Sequence, residues 1–255
     1  MIKNIFIGIR AYSNAFSLIS QLKLWRYFIV PIAISLITAT AVWFLAYGLS
    51  DNIGAFISKI WIWEFGKETF ASISNFIGAT LIVVLGLVLY KHIVMALSAP
   101  FMSPVSEKIE AHLIGETHQH RSTSFSQQLW RGIRINIRNL GMELLLTIPI
   151  ILIGFIPVIG IVSTFLLFLI QAYYAGFGNM DYTLERHFKY KKSLQFVRKN
   201  RGSAIGNGIV FMLFLLVPVI GIILVLPLSV TAASTKTITL LKEEKLLQSS
   251  KNIQE

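Results

Sequence analysis

Runs without charge divide this chain before any other feature does. Tyr27–Ser50, Thr69–Tyr90, Leu144–Met180 and Gly202–Thr235 hold 24, 22, 37 and 34 consecutive residues with no Asp, Glu, Lys or Arg. A helix crossing a hydrocarbon core of about 30 Å needs about 20 apolar residues, so the pattern predicts transmembrane helices over 27–50 and 69–90. The longer runs do not fit one crossing each, because an unbroken helix of that length extends roughly 50 Å or more. Each is interrupted near its middle by the same peptide, Pro157-Val158-Ile159-Gly160 and Pro218-Val219-Ile220-Gly221. Proline withholds a helix donor and glycine permits a turn, which leaves arms of roughly 12–16 residues, short of a full crossing. Two re-entrant helical hairpins are therefore expected over 144–180 and 202–235, with Pro157, Gly160, Pro218 and Gly221 at tips inside the membrane.

Two further stretches carry helical periodicity with a polar face. In 2–19, Ile2, Ile5, Phe6, Ile9, Tyr12, Phe16 and Ile19 recur at helical spacing, while Lys3, Asn4, Arg10, Ser13, Asn14 and Ser17 take the other side. In 125–140, Phe125, Leu129, Ile133, Ile137 and Leu140 form the apolar stripe and Arg131, Arg134 and Arg138 oppose it. Both read as amphipathic helices at the headgroup level. Gly202 and Gly206 form a small-x-x-x-small pair, which suits a close helix contact, and 241–255 reads as a polar tail. The expected architecture is an all-α integral membrane protein forming a single membrane domain over 1–255.

Composition sharpens that picture. Of 255 residues, 55% are hydrophobic and 14% charged, and the mean hydropathy is +0.68. A soluble domain is about 45–50% apolar and about 25% charged, so a soluble enzyme is excluded. The net charge of +11 lies between the apolar runs: +4 over 1–26, −1 over 51–68, +2 over 91–143, +5 over 181–201 and +1 over 236–255. Two crossings followed by two hairpins place every positive segment on one face, the cytoplasmic one by the positive-inside tendency, with the N-terminus on that side. Single crossings of the longer runs would send the +5 segment outward. The basic run 186–201 reads as contact with anionic lipid rather than nucleic acid. The opening MIKNIFIGIR has no small-residue cleavage site, so entry into the membrane is expected from internal segments.

Candidate chemistry is sparse. There are no cysteines, and phosphate-loop, nucleophile-elbow, zincin and dinucleotide patterns are all missing, so no enzyme activity, cofactor or catalytic residue is expected. His112, His118 and His120 lie close together, but His-x-His in a polar loop is a poor metal site and none is assigned. Anion binding has more support. Arg26 stands where a polar stretch meets the first long span, and a helix start offers free N–H groups and a favourable dipole. Ser103-Pro104 suggests a second helix start, with a capping hydroxyl followed by proline. Arg131, Arg134 and Arg138 would attract anions or face lipid headgroups. No Asp, Glu, Lys, Arg or His falls within 27–50 or 69–90, which suits a passive path better than a charge-coupled carrier.

Ala99-Pro100-Phe101 followed by Glu107 and Glu110, the paired Pro-Val-Ile-Gly hairpins, and Asp181-Tyr182 followed by His187 and the basic run together resemble the CysZ sulfate-permease family. That family lies within a wider superfamily related to the etoposide-induced protein. The likeness extends over roughly residues 5–240. It implies an inner-membrane, homo-oligomeric helical protein with two full spans and half-penetrating helices, bringing sulfate inward for cysteine synthesis. It further implies that sulfate is held by a glycine-containing turn ending in arginine just before the first long helix. The matching stretch here is Lys23-Leu24-Trp25-Arg26, which keeps Arg26 but has Lys23 for the glycine and Trp25 for a neighbouring arginine. The expectation is a permease or channel for sulfate or a similar oxyanion, with Lys23, Trp25 and Arg26 at the anion. The competing reading is a non-transporting membrane scaffold or bilayer-shaping protein.

Overall fold

The computed structural model describes residues 1–59, 67–115, 123–154, 159–217 and 220–252. Among the described residues every regular element is a helix: α1 (Ile2–Arg10), α2 (Ala15–Gln21), α3 (Trp25–Ser58), α4 (Lys67–Ile114), α5 (Phe125–Gly154), α6 (Ile159–His187), α7 (Tyr190–Lys199), α8 (Arg201–Leu215) and α9 (Ile220–Asn252). Five segments are long and apolar enough to cross a bilayer by length and composition: Trp25–Leu49, Leu85–Ile114, Phe125–Gly154, Ile159–His187 and Ile223–Glu244. Prolines sit inside four of these helices, at Pro31, Pro100, Pro104, Pro149 and Pro227. Neighbouring helices and side chains satisfy the carbonyls that such prolines free. Ser103-Pro104 is therefore not a helix start. It lies within α4, where burial of Met102, Val105 and Ile109 holds the helix through the local start signal.

The helices are more continuous than the charge pattern suggests. The amphipathic stretch 125–140 and the first arm of 144–180 are one helix, α5, and 2–19 is divided by a turn at Ala11–Asn14 between α1 and α2. On α5 the apolar stripe faces outward: Phe125 and Ile137 are exposed, whereas Gly132, Ile135, Asn136, Asn139 and Glu143 are buried. An apolar outer face against lipid and a small, polar inner face against protein invert the soluble pattern, as a bilayer solvent requires.

Chain reversals join the helices in pairs. Arg131 meets Asp181, Arg138 lies over the Phe177 ring, and a side chain at Gly154 would meet Ser163. Partner numbers thus fall on α6 as they rise on α5, which makes the two helices antiparallel. The pair α8–α9 is likewise antiparallel, with Asn207 bonded to the Ser229 carbonyl and Gly221 against the Phe214 carbonyl. Gly160 and Gly221 both stand at these reversals, while Pro157 and Pro218 lie outside the described residues.

The two pairs meet along a seam of small residues. A Cβ at Gly176 would collide with the Ala204 carbonyl and one at Gly208 with the Ala172 carbonyl, so α6 and α8 approach backbone to backbone. The Gly202/Gly206 pair forms the expected close contact, receiving α1 through Asn4, Ile5 and Gly8. Asn207, between the seam glycines, is a polar hub. Its amide donates to the Ser229 carbonyl at 3.0 Å, and its side-chain oxygen accepts from Asn179 at 2.9 Å. Its own carbonyl accepts from the Tyr12 hydroxyl at 2.8 Å. One residue thereby ties the α1–α2 turn, α6, α8 and α9.

An ionic cluster holds α4 to α5. The Lys91 ammonium is 2.7 Å from Glu143, and His92 lies 3.1 Å from the other Glu143 oxygen and 3.2 Å from Asn136. Lys91 is 0% exposed and Glu143 1%. A buried charge is tolerated only when its partner and hydrogen bonds are in place, and removing one partner of such a pair costs about 3–5 kcal/mol. Glu143→Leu is expected to destabilise the detergent-purified protein by that amount, and Lys91→Met combined with Glu143→Leu by clearly less; thermal unfolding of the three proteins measures both. At the seam, Gly208→Ala is expected to cost roughly 1–3 kcal/mol by overpacking. Gly141→Ala, whose Cβ would meet nothing within 4 Å, is expected to leave the melting temperature unchanged or slightly raised.

Candidate functional site

The turn expected to hold an anion begins where α2 ends. The Lys23 amide donates to the Ser20 carbonyl and the Leu24 amide to the Ile19 carbonyl, a wrapped C-terminus that turns the chain sharply into α3. The turn needs a left-handed residue, and Lys23 supplies it at φ +52°, the one non-glycine positive φ among the described residues. This backbone conformation costs an L-residue about 1–2 kcal/mol. It is the conformation that glycine would adopt freely, and glycine is what the resemblance places there. Lys23 thus combines a glycine-like backbone conformation with a cationic side chain.

Leu24 and Phe28 anchor the turn, both fully buried, and Trp25 packs edge-on against Phe16 at 5.9 Å and Phe28 at 6.4 Å. Trp25 therefore contributes packing that fixes the start of α3. Arg26, in the first turn of α3, is exposed; its guanidinium donates to the Tyr27 hydroxyl at 3.0 Å and lies 4.9 Å from the Tyr27 ring centre. Lys108 of α4 approaches the same ring, with its ammonium 5.5 Å from the centre. Sequence reasoning missed Lys108 because only the packing of α4 on α3 brings it within reach of residue 27. Among the described residues no carboxylate pairs with Lys23, Arg26 or Lys108. A cation cluster with unspent charge at a helix N-terminus can hold an oxyanion through charge-assisted hydrogen bonds.

The three arginines of α5 occupy different surroundings. Arg131 is committed: it grips Asp181 with two donors at 2.8 and 3.0 Å and also reaches the Phe188 carbonyl and the Ser193 hydroxyl. Arg134 is exposed and stacks over Tyr190 at 4.2 Å. Arg138 donates to Asn139 and lies over Phe177. Thus Arg131 fastens α5 to α6 and α7, and Arg134 has the freer charge for an arriving anion.

A second buried ionic group lies further along α4. Arg186 of α6 donates to Glu110 at 2.9 Å, to the Ser103 carbonyl at 3.0 Å and to the Ser106 hydroxyl, and His187 is 3.0 Å from Glu110. Glu110 and His187 belong to the motifs of the resemblance, but neither they nor Asp181 were assigned a pairing. The residues that meet lie 50 to 77 positions apart, so no local pattern marks them. Lys91, His92 and Glu143 bound or follow the charge-free runs and read as loop charges, yet all are buried within helices of membrane-compatible hydropathy. His112 falls in the last turn of α4, and His118 and His120 lie outside the described residues.

The family described as sulfate transporter CysZ/etoposide-induced protein 2.4 matches residues 11–226. A relative, the sulfate transporter CysZ of Pectobacterium atrosepticum, is 26% identical over 231 residues, covering 89% of this chain and 82% of that protein. The matched region takes in the anion turn, the ionic groups on α4, α5 and α6, and the seam between α6 and α8, and the chain belongs to the sulfate transporter CysZ/etoposide-induced protein 2.4 family.

Proposed function

We propose that the protein is a membrane permease for sulfate or a similar oxyanion and that the Lys23–Arg26 turn is where the anion is first held. The observation that carries this reading is the set of cations without acidic partners among the described residues at the start of α3, Arg26 and Lys108 around Tyr27 with Lys23 in the turn itself. A dianion leaving water needs several donors at once. Arginine offers them as a planar fork, and lysine adds a mobile point charge. The sulfate-transporting relative supports sulfate as the oxyanion. Arg134 on α5 would raise the local anion concentration at the cytoplasmic face.

The topology we infer has α3 and α4 crossing the bilayer while α5–α6 and α8–α9 enter and leave on one side, with the N-terminus cytoplasmic. Its support is length: α8 has 15 residues, about 22 Å of helix, against a hydrocarbon core of about 30 Å. On α5, only 11 residues separate Glu143 from the helix end at Gly154. Exposed Ile29, Ile37, Trp43 and Phe44 on α3, and Ile161 and Phe165 on α6, give the bundle an apolar girdle for lipid or a second copy of the chain in a homo-oligomer. An inner-membrane location and a role in supplying sulfate for cysteine synthesis complete the reading.

Purified protein in liposomes is expected to admit labelled sulfate well above protein-free vesicles. Arg26→Ala is expected to weaken sulfate binding about tenfold or more, the loss of hydrogen bonds from a charged donor. Flux at the protein-free level overturns the permease reading, and unchanged sulfate binding in Arg26→Ala overturns the site. Lys23→Gly is expected to raise stability by up to about 1 kcal/mol by releasing left-handed strain, as read from thermal unfolding without sulfate.

A further inference from the structure

Away from the anion turn, a groove of about 480 Å³ opens where α5, α6 and the start of α8 meet. Its wall and its rim differ in chemistry. Leu146 of α5 with Leu166 and Leu169 of α6 form an apolar wall, and Tyr173, Arg198 and Arg201 stand at one end. The change from leucine to tyrosine takes place along α6 itself: from Leu166 to Tyr173 the helix rises roughly 10 Å.

The two rim arginines have charge to spare. Both are exposed, and among the described residues no carboxylate pairs with either. Glu244, the carboxylate that meets the end of α7, pairs with Lys199 at 3.0 Å. Leu146 and Leu166 are 40% and 43% exposed, so the apolar wall is open along the side of the bundle. A free phosphate or sulfate ion would satisfy the arginines and leave the wall bare. A ligand with an anionic head and a long apolar tail satisfies both, and the bilayer supplies it at high concentration. Basic pockets between membrane helices on the cytoplasmic side bind anionic headgroups in this manner.

We propose that this groove is a binding site for one anionic phospholipid, with the phosphate between Arg198 and Arg201 and an acyl chain along Leu146, Leu166 and Leu169. The tyrosines at residues 173 and 174 mark the level where headgroup gives way to chain, the depth that amphipathic rings prefer. The lipid bridges the α5–α6 hairpin to the start of α8, two units that otherwise meet through the glycine seam.

Native mass spectrometry of the full chain in detergent, titrated with phosphatidylglycerol or phosphatidylcholine, tests the assignment without reference to sulfate flux. Phosphatidylglycerol is expected to be retained in preference to phosphatidylcholine. The double variant Arg198→Gln and Arg201→Gln is expected to lose roughly tenfold to thirtyfold in that retention, from about 1 kcal/mol per basic residue. Lys189→Gln with Lys191→Gln removes the same charge from elsewhere on the basic run and is expected to retain the lipid as the parent does. Equal retention of the two lipids, or full retention by the arginine variant, overturns the proposal. So does an equal loss in the lysine variant, which would make the contact diffuse, and so does displacement by glycerol phosphate at matched concentration, which would make the site one for a free anion. Unchanged thermal unfolding of the lipid-free variants confirms that the readout is binding.

Discussion

A lysine ammonium with no exposed surface, carried on a helix apolar enough to cross a bilayer, must meet a carboxylate within the protein. Lys91 meets Glu143, and that requirement sets how α4 lies on α5. His92 and Asn136 complete the group, so the charges are hydrogen-bonded as well as paired. Farther along, Arg131 with Asp181 and Arg186 with Glu110 impose the same condition between α5 and α6 and between α4 and α6. In water such pairs would be weak. In an apolar surrounding the alternative to pairing is an unpaired buried charge, which is costly enough to exclude other registers.

Where α6 leaves these ion pairs it relies on the opposite device. Lipid chains are as apolar as leucine, so helices gain little by burying leucine against each other and more by close backbone packing. The contacts of Gly176 with Ala204 and of Gly208 with Ala172 provide that packing, and Asn207 supplies hydrogen bonds at the point where four segments meet. Charge registers the C-terminal end of α6 and small residues its middle. The helix is the axis on which both antiparallel pairs are mounted.

The surfaces follow from this division. With Arg131 and Arg186 spent on internal carboxylates, two groups of cations stand at candidate ligand sites: Lys23, Arg26 and Lys108 around the first turn of α3, and Arg198 and Arg201 where α7 passes into α8. The first set stands on a strained turn beside a packed tryptophan. The second stands over an open apolar groove. The same residue types thus stand in different surroundings, and the two proposed ligands differ because what adjoins the cations differs.

Much of this was legible in the residues alone. Membrane class, helical content and the chain reversals near Gly160 and Gly221 follow from charge-free length and helix breakers, which act locally. The start of α3 beside Arg26 was legible because a polar stretch gives way there to a long apolar run. The Gly202/Gly206 contact was legible because its spacing is that of one helix face. The sequence misplaced Ser103-Pro104, which reads as a start and lies within α4, and it read Lys91, Glu110, Glu143 and Asp181 as charges of loops or motifs without partners. It offered no sign of Lys108 at Tyr27. Periodicity and breakers report on neighbours within a few residues, and the chain by itself therefore determined a helical membrane protein with chain reversals near Gly160 and Gly221. Which charge meets which carboxylate, and which cations remain free for a ligand, was decided only when helices 50 or more residues apart packed together, since a charge has no partner until the fold excludes water from it.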